Sequence, residues 1–259
     1  MGSAQMQNEL WSQAPQDWAT LQEPLHVPLW EAMLDAMGAG NDAKLLDAGC
    51  GAGGLSALAV QKGFEVIGLD AADALITIAR TRVPGAEFRT GDLEALPFAN
   101  DTFDAVIAAN SAQYAADPVA ALSELKRVTK PGGKIAVAVW GQAENCEFRH
   151  ILKAVAGAMP EPPKGGGPFA LSKPGALETL LSKAGIATDG RGEVTCPFDY
   201  DDVAAAWRAT ASSGPLQGAM RAAGEEPIRE AVSKATQQFV RDGGEVHLDN
   251  TMVYVTATV

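Results

Sequence analysis

The stretch Lys44-Leu45-Leu46-Asp47-Ala48-Gly49-Cys50-Gly51-Ala52-Gly53-Gly54 decides how the chain is read. Its first half is a short apolar run ended by glycines, as a buried strand is. Leu55 to Lys62 follows as a helix, and Gly63 ends it as a C-terminal cap glycine does. A glycine-rich turn between strand and helix lets the backbone approach a ligand closely and offers the free N–H groups of the helix start. Gly49, Gly51 and Gly54 also satisfy G-x-G-x-x-G, whose first-choice ligand is a dinucleotide. Asp47 speaks against that ligand. A pyrophosphate here would face its carboxylate, and like charges at about 4 Å repel by ~1 kcal/mol in water and several times more in a drier site.

Outward from this turn, strands and helices alternate. Glu65 to Asp70 is a second strand, and Asp73 to Arg82 a helix with Leu75, Ile76 and Ala79 on one face. Pro84-Gly85 turns the chain into a third strand, Glu87 to Thr90, and Phe103 to Ala109 is a fourth. Pro118 opens a helix, where its missing N–H costs nothing, and Leu122, Leu125 and Val128 face inward. Pro131-Gly132-Gly133 is expected to stop that helix, and Lys134 to Trp140 to form the fifth strand. This alternation implies an α/β fold: a Rossmann-like, doubly wound parallel sheet with helices on both faces and right-handed crossovers. Ligands bind such sheets beyond the carboxyl ends of the strands, where the strand order reverses. After Trp140, helices are expected at Phe148–Met159, Gly175–Lys183, Asp201–Ser212 and Pro227–Val240, and strands at Val194–Phe198 and Asn250–Thr258. Pro160 to Pro168 mixes rigid prolines with permissive glycines and reads as an irregular, gate-like segment.

S-adenosylmethionine answers the objection that Asp47 raises. It has no phosphate, and its ammonium and sulfonium are cations that a carboxylate attracts. Asp70, ending the second strand, is placed to accept both ribose hydroxyls, a role shared with NAD enzymes. Asp92, after the third strand, can accept from the adenine amino group, and Leu93 can cover the ring. These elements, with Asp92 to Phe98, Phe103-Asp104 and Arg127 to Gly133, resemble the class I S-adenosylmethionine-dependent methyltransferases, in particular the branch of the ubiquinone and menaquinone C-methyltransferases. The resemblance runs from about Leu45 to Trp140 and transfers no substrate. It implies Gly49, Gly51 and Gly53 against the methionine and ribose, Asp70 with its neighbour Ala71 at the ribose, Asp92 and Leu93 at the adenine, and Asn110 near the methionyl group. It also implies seven strands with an antiparallel last strand, which suits Asn250 to Thr258.

The chain of 259 residues suits one α/β domain with decorations. Three regions are expected: an N-terminal helical lid at 1–42, a cofactor-binding core at 43–141, and lid helices with the last two strands of the sheet at 142–259. The net charge of −12, without a basic stripe, speaks against nucleic acid as a partner. No apolar run reaches the roughly 20 residues of a membrane span. The polar Met1 to Leu10 lacks the features of a secretion signal, which points to the cytoplasm. Cys50, Cys146 and Cys196 are far apart, as are His26, His150 and His247, so neither a disulfide framework nor a metal site is expected. Oligomeric state is not legible.

A small-molecule acceptor should lie over the ends of strands four and five. There Tyr114 and Gln113 are the residues expected to orient it, with Tyr114 also able to take a proton and the three histidines as alternative bases. Trp11, Trp18 and Trp30 share the N-terminal segment, and Trp18 is the expected cation–π contact to the sulfonium. Two other readings remain open at this point: a protein that binds S-adenosylmethionine without catalysis, and an NAD-linked oxidoreductase.

Overall fold

The computed structural model describes residues 3–38, 41–161 and 167–259. Nine strands are named among them: β1 (Lys44–Ala48), β2 (Glu65–Asp70), β3 (Glu87–Thr90), β4 (Phe103–Ala109), β5 (Thr129–Trp140), β6 (Thr188–Thr195), β7 (Phe198–Tyr200), β8 (Val246–Leu248) and β9 (Thr251–Thr258). Seven form one sheet in the order β3-β2-β1-β4-β5-β9-β6. β1 to β5 pair in parallel, whereas β9 is antiparallel to both β5 and β6. The expected doubly wound sheet with an antiparallel last strand is therefore present. The order reverses between β1 and β4, which puts the glycine turn after β1 at the crevice where such sheets take ligands.

The strands are apolar on both sides because helices cover both faces. In β5, Ala136, Ala138 and Trp140 join one core, and Ile135, Val137 and Val139 join the other. The first core is closed by α3 (Val27–Met37), α4 (Gly54–Gln61), α7 (Phe148–Ala158) and α9 to α11 (Val203–Ala211, Gly214–Ala223, Glu225–Thr236). The second is closed by α6 (Pro118–Val128) and α8 (Ala176–Lys183). α5 (Asp73–Arg82) packs Ile76 and Ala79 against Phe88 of β3.

The structure corrects three expectations. Pro131-Gly132-Gly133 does not stop the helix: α6 ends at Val128, and these residues lie inside β5. They form an irregularity, since β4 pairs with Thr129 through Phe103 and next with Lys134 through Ala105. Gly132 reaches φ +79° there, and its N–H donates to the Val259 carbonyl at 2.7 Å. Val194–Phe198 is not one strand. The chain leaves the main sheet after Thr195, and Phe198 begins β7, paired with β8 in a separate two-stranded sheet. Pro197, between them, has no N–H with which to continue a ladder. α10 was not expected, but Pro215 near its start is where a helix accepts proline.

The N-terminal segment is a series of short helices: α1 (Ala4–Trp11), α2 (Pro15–Asp17), a π-turn at Trp18–Gln22, a 3₁₀ turn at Glu23–His26, and α3. Of the expected gate segment, residues 162–166 lie outside the described residues.

Candidate functional site

The glycine turn is held from three sides. The N–H groups of Gly49 and Cys50 both donate to the Leu69 carbonyl on β2, at 2.7 and 3.0 Å. Ser111, after β4, donates its hydroxyl to the Ala48 carbonyl at 2.6 Å. Gly49 has φ +84°, and a Cβ there would come within 2.2 Å of the Ser111 Cβ, so this seam admits only glycine. Gly51 has φ +54°, and a Cβ would come within 2.8 Å of a Glu23 carboxylate oxygen. Gly53 lies lower, against Ala79 and Phe88.

Three carboxyl groups surround this turn. Asp70 accepts from the N–H of Gly51 at 2.9 Å and of Ala72 at 2.8 Å. Burial pushes its carboxyl above the usual range, opposed by those backbone donors. Asp47 is 1% exposed and accepts from the Ser56 hydroxyl at 2.6 Å. Burial pushes it up to about 7; the Ser56 hydrogen bond opposes this, and the negative fields of Glu23 and Asp70 add to it. Glu23 accepts from the Ala52 N–H at 2.7 Å through Oε1, and Oε2 pairs with Arg82 of α5. Burial pushes Glu23 up too, with Arg82 opposing. Arg82 also donates to the Ala19 carbonyl at 2.8 Å, so this ion pair ties the N-terminal segment to the turn.

Above the strand ends opens a cavity that is partly open to solvent. Of the residues expected at the site, Trp18, Asp47, Gly49, Gly51, Asp70, Ala71, Asp92, Leu93, Asn110 and Tyr114 line it. Gly53 and Gln113 do not. Gly53 faces the packing beneath the turn, and the amide of Gln113 is buried. Asn110 stands at φ +53°, an uncommon conformation for a non-glycine residue, and its buried Oδ1 has no partner among them. Trp18 packs edge-on against Trp11 at 4.7 Å, and its buried Nε1 is likewise without a partner. Burial pushes the Tyr114 phenol upward, so at neutral pH it keeps its proton and donates rather than acting as a base.

The far wall is aromatic. Trp140, ending β5, stacks on Phe148 with ring centroids 5.3 Å apart and contacts Phe169 and Phe198 edge-on at 5.6 and 5.7 Å. His26 meets Phe198 at 5.5 Å and stacks on Trp30 at 6.2 Å. Glu23, Ser56 and Ser111 were missed from the sequence. Ser111 follows Asn110 directly, and Ser56 sits on the first turn of the helix after the glycines, so proximity to the motif could have flagged both. Among the described residues, no three His, Cys, Asp or Glu converge as metal ligands.

The sheet order, the antiparallel strand beside β5 and the acid-ringed glycine turn together define the class I methyltransferase fold. Residues 46–137 match the family model of a methyltransferase domain. A demethylmenaquinone methyltransferase of Renibacterium salmoninarum is 36% identical over 119 residues, 46% of this chain and 50% of that protein. Another, from Beutenbergia cavernae, is 39% identical over 111 residues, 42% and 46% of the respective chains. The chain thus spans about half the length of the curated relatives it matches. Among solved structures, the YcgJ protein of Bacillus subtilis aligns with TM-score 0.61 at 19% identity, covering 88% of this chain and 97% of that one. A geranyl diphosphate C-methyltransferase of Streptomyces coelicolor, in complex with S-adenosyl-L-homocysteine, aligns with TM-score 0.53 at 18% identity, covering 91% and 80%.

Proposed function

We propose that this chain is a methyltransferase that takes a methyl group from S-adenosylmethionine and delivers it to a small-molecule acceptor. One observation carries the reading: Glu23, Asp47, Asp70 and Asp92 line the cavity with no lysine or arginine among the described lining residues. Such a site repels a pyrophosphate and attracts an ammonium and a sulfonium. The methionyl carboxylate arrives beside its own ammonium, so it does not require a basic side chain. The fit is supported by the unpartnered Asn110 Oδ1 and Trp18 Nε1, both on residues that line the cavity.

In this reading Asp70 receives the ribose hydroxyls, with Ala71 beside it. Asp92 receives the adenine amino group and Leu93 covers the ring. Asp47 and Asn110 face the methionyl end, and Trp18 offers its ring to the sulfonium. When bound, the cofactor supplies an electrophilic methyl group. The chain's own work is to align the acceptor behind that methyl and exclude water. Tyr114 orients the acceptor by donating a hydrogen bond, and Gln113 supports the turn that carries it. Residues 43–141 form the cofactor core, and the segments 1–42 and 142–259 supply the lid and complete the sheet.

The net charge of −12 disfavours nucleic acid as the acceptor. No helix among the described residues is long and apolar enough to cross a membrane. The relatives act on different acceptors: besides demethylmenaquinone methyltransferases they include a malonyl-[acyl-carrier protein] O-methyltransferase of Erwinia pyrifoliae. A screen of small-molecule acceptors with methyl-labelled cofactor, read by mass, tests the proposal. Labelled product from at least one acceptor is expected. Bound cofactor with no transfer to any acceptor would contradict it.

A further inference from the structure

The acceptor end of the cavity has its own chemistry. Its walls are Trp30, Trp140, Phe148, Leu152 and Leu216. His26 stands at this wall, 7% exposed, between Trp30 and Phe198. Its Nδ1 lies 3.3 Å from the Glu23 carbonyl oxygen, which can only accept, so the proton sits on Nδ1. In that tautomer Nε2 carries the lone pair, and His26 is among the residues that line the cavity. No described cationic side chain lines the cavity to meet a phosphate or a carboxylate on the acceptor. Asp70 and Asp92 add a repulsive field, while Glu23 is paired with Arg82 and Asp47 is ionised only in part at neutral pH.

We infer, building on the proposed methyltransferase reading, that the acceptor is an uncharged, largely apolar ring compound bearing one hydroxyl or N–H, and that Nε2 of His26 receives the proton of that group. The acceptor's oxygen or nitrogen gives its proton to Nε2 and bonds to the methyl carbon. The carbon–sulfur bond of the donor breaks, and its electron pair stays on sulfur. One positive charge disappears from sulfur as one appears on the imidazole, so the buried site carries the same charge before and after. The proton leaves to water when the product departs. Burial lowers His26 to about 4, which keeps the ring neutral beforehand and makes it a weak base, so the proton moves together with the methyl group and not ahead of it.

The test has a binding arm and a rate arm. In the binding arm, protein saturated with S-adenosylhomocysteine is titrated with 2-naphthol, 6-hydroxy-2-naphthoic acid and 2-naphthyl phosphate, following tryptophan fluorescence. We expect 2-naphthol to bind at least tenfold more tightly than either anion. Equal or tighter binding of an anion overturns the inference, whether or not the protein transfers methyl groups. In the rate arm, His26→Gln and His26→Asn are compared with the unaltered chain on the best neutral acceptor of the labelled-methyl screen and on a nitro-substituted analogue already ionised at neutral pH. The variants should lose about a hundred- to ten-thousand-fold in kcat on the neutral acceptor and less than tenfold on the ionised one. Equal losses on both, or none on either, overturn the role of His26. Retained S-adenosylhomocysteine binding shows that a variant is folded. If neither variant binds it, the unaltered chain is compared on the two acceptors in H2O and D2O: a solvent isotope effect on kcat with the neutral acceptor and none with the ionised one is expected, and no effect on either overturns the role of His26.

Discussion

The two walls of the cavity are built by different rules. On the cofactor wall, backbone does the holding: Asp70 is fixed by two N–H groups, Gly49 by a neighbouring seryl Cβ, and the turn by the Leu69 carbonyl. On the acceptor wall, side chains do the filling, with Trp140 stacked on Phe148 and backed by Phe169 and Phe198. The family match spans residues 46–137, which covers the first wall and stops short of Trp140. A backbone-held site tolerates little change of sequence, whereas an aromatic pocket can be refilled for a different acceptor. Cofactor chemistry is therefore readable from relatives here, and acceptor chemistry has to be read from the cavity itself.

The largest expected effect breaks the cofactor wall. Asp70→Ala should weaken S-adenosylhomocysteine binding roughly ten-fold to a few hundred-fold, because each charge-assisted hydrogen bond lost costs about 1.5–3 kcal/mol. Calorimetry checks the affinity and a melting curve checks the fold; unchanged affinity in a folded variant contradicts the assignment.

Glu23 joins the two walls. Glu23→Ala leaves the Ala52 N–H buried and unpaired and releases Arg82 from the turn. A loss of about 1–3 kcal/mol is expected from the unpaired group, lowering Tm by a few degrees, with weaker cofactor binding alongside. A variant with unchanged Tm and affinity would show that the N-terminal segment merely rests on the turn.

Removing residues 1–22, which spares Glu23, sharpens the comparison from the other side. The shortened chain should stay folded and bind S-adenosylhomocysteine, more weakly because Trp18 is gone, while turnover on any acceptor found falls at least tenfold. Full turnover would take this segment out of the lid.

The smallest effect is one of pH. Asp47 ionises at about 7 in the unliganded protein, and a cationic ligand favours the carboxylate, so S-adenosylmethionine should bind more tightly as pH rises from 6 to 8, by up to about tenfold per proton released. Stability runs the opposite way. A carboxyl raised from 3.8 to about 7 contributes its stabilisation fully below the lower value and loses it as pH rises through the upper one. Asp47→Asn should therefore flatten the binding profile and gain Tm over the unaltered chain at pH 8. A profile that keeps its slope in Asp47→Asn assigns the titration elsewhere.

What could be read from the sequence follows from the same contrast. β1 to β4, the glycine turn and the acids at the strand ends are local patterns, and residues 46 to 110 fold much as their periodicity says. Glu23 was invisible because its partners stand 29 and 59 residues away, and nothing next to it marks a carboxylate destined for burial. Pro131-Gly132-Gly133 misled because turn residues also serve as a bulge when a distant segment, here Val259 just past β9, supplies the partner. The break between β6 and β7 was lost for the same reason: β7 exists only because β8, nearly fifty residues on, pairs with it. Gly53 and Gln113 sit beside true lining residues in sequence, but the turn and the loop point them away from the cavity.

The central claim is that the acid-ringed glycine turn receives a cationic nucleoside and not a dinucleotide. Calorimetric titration of the unaltered protein with S-adenosylmethionine and, separately, with NAD tests it directly. One-to-one binding of S-adenosylmethionine and no measurable heat with NAD is the predicted result. Binding of NAD in place of S-adenosylmethionine would contradict it.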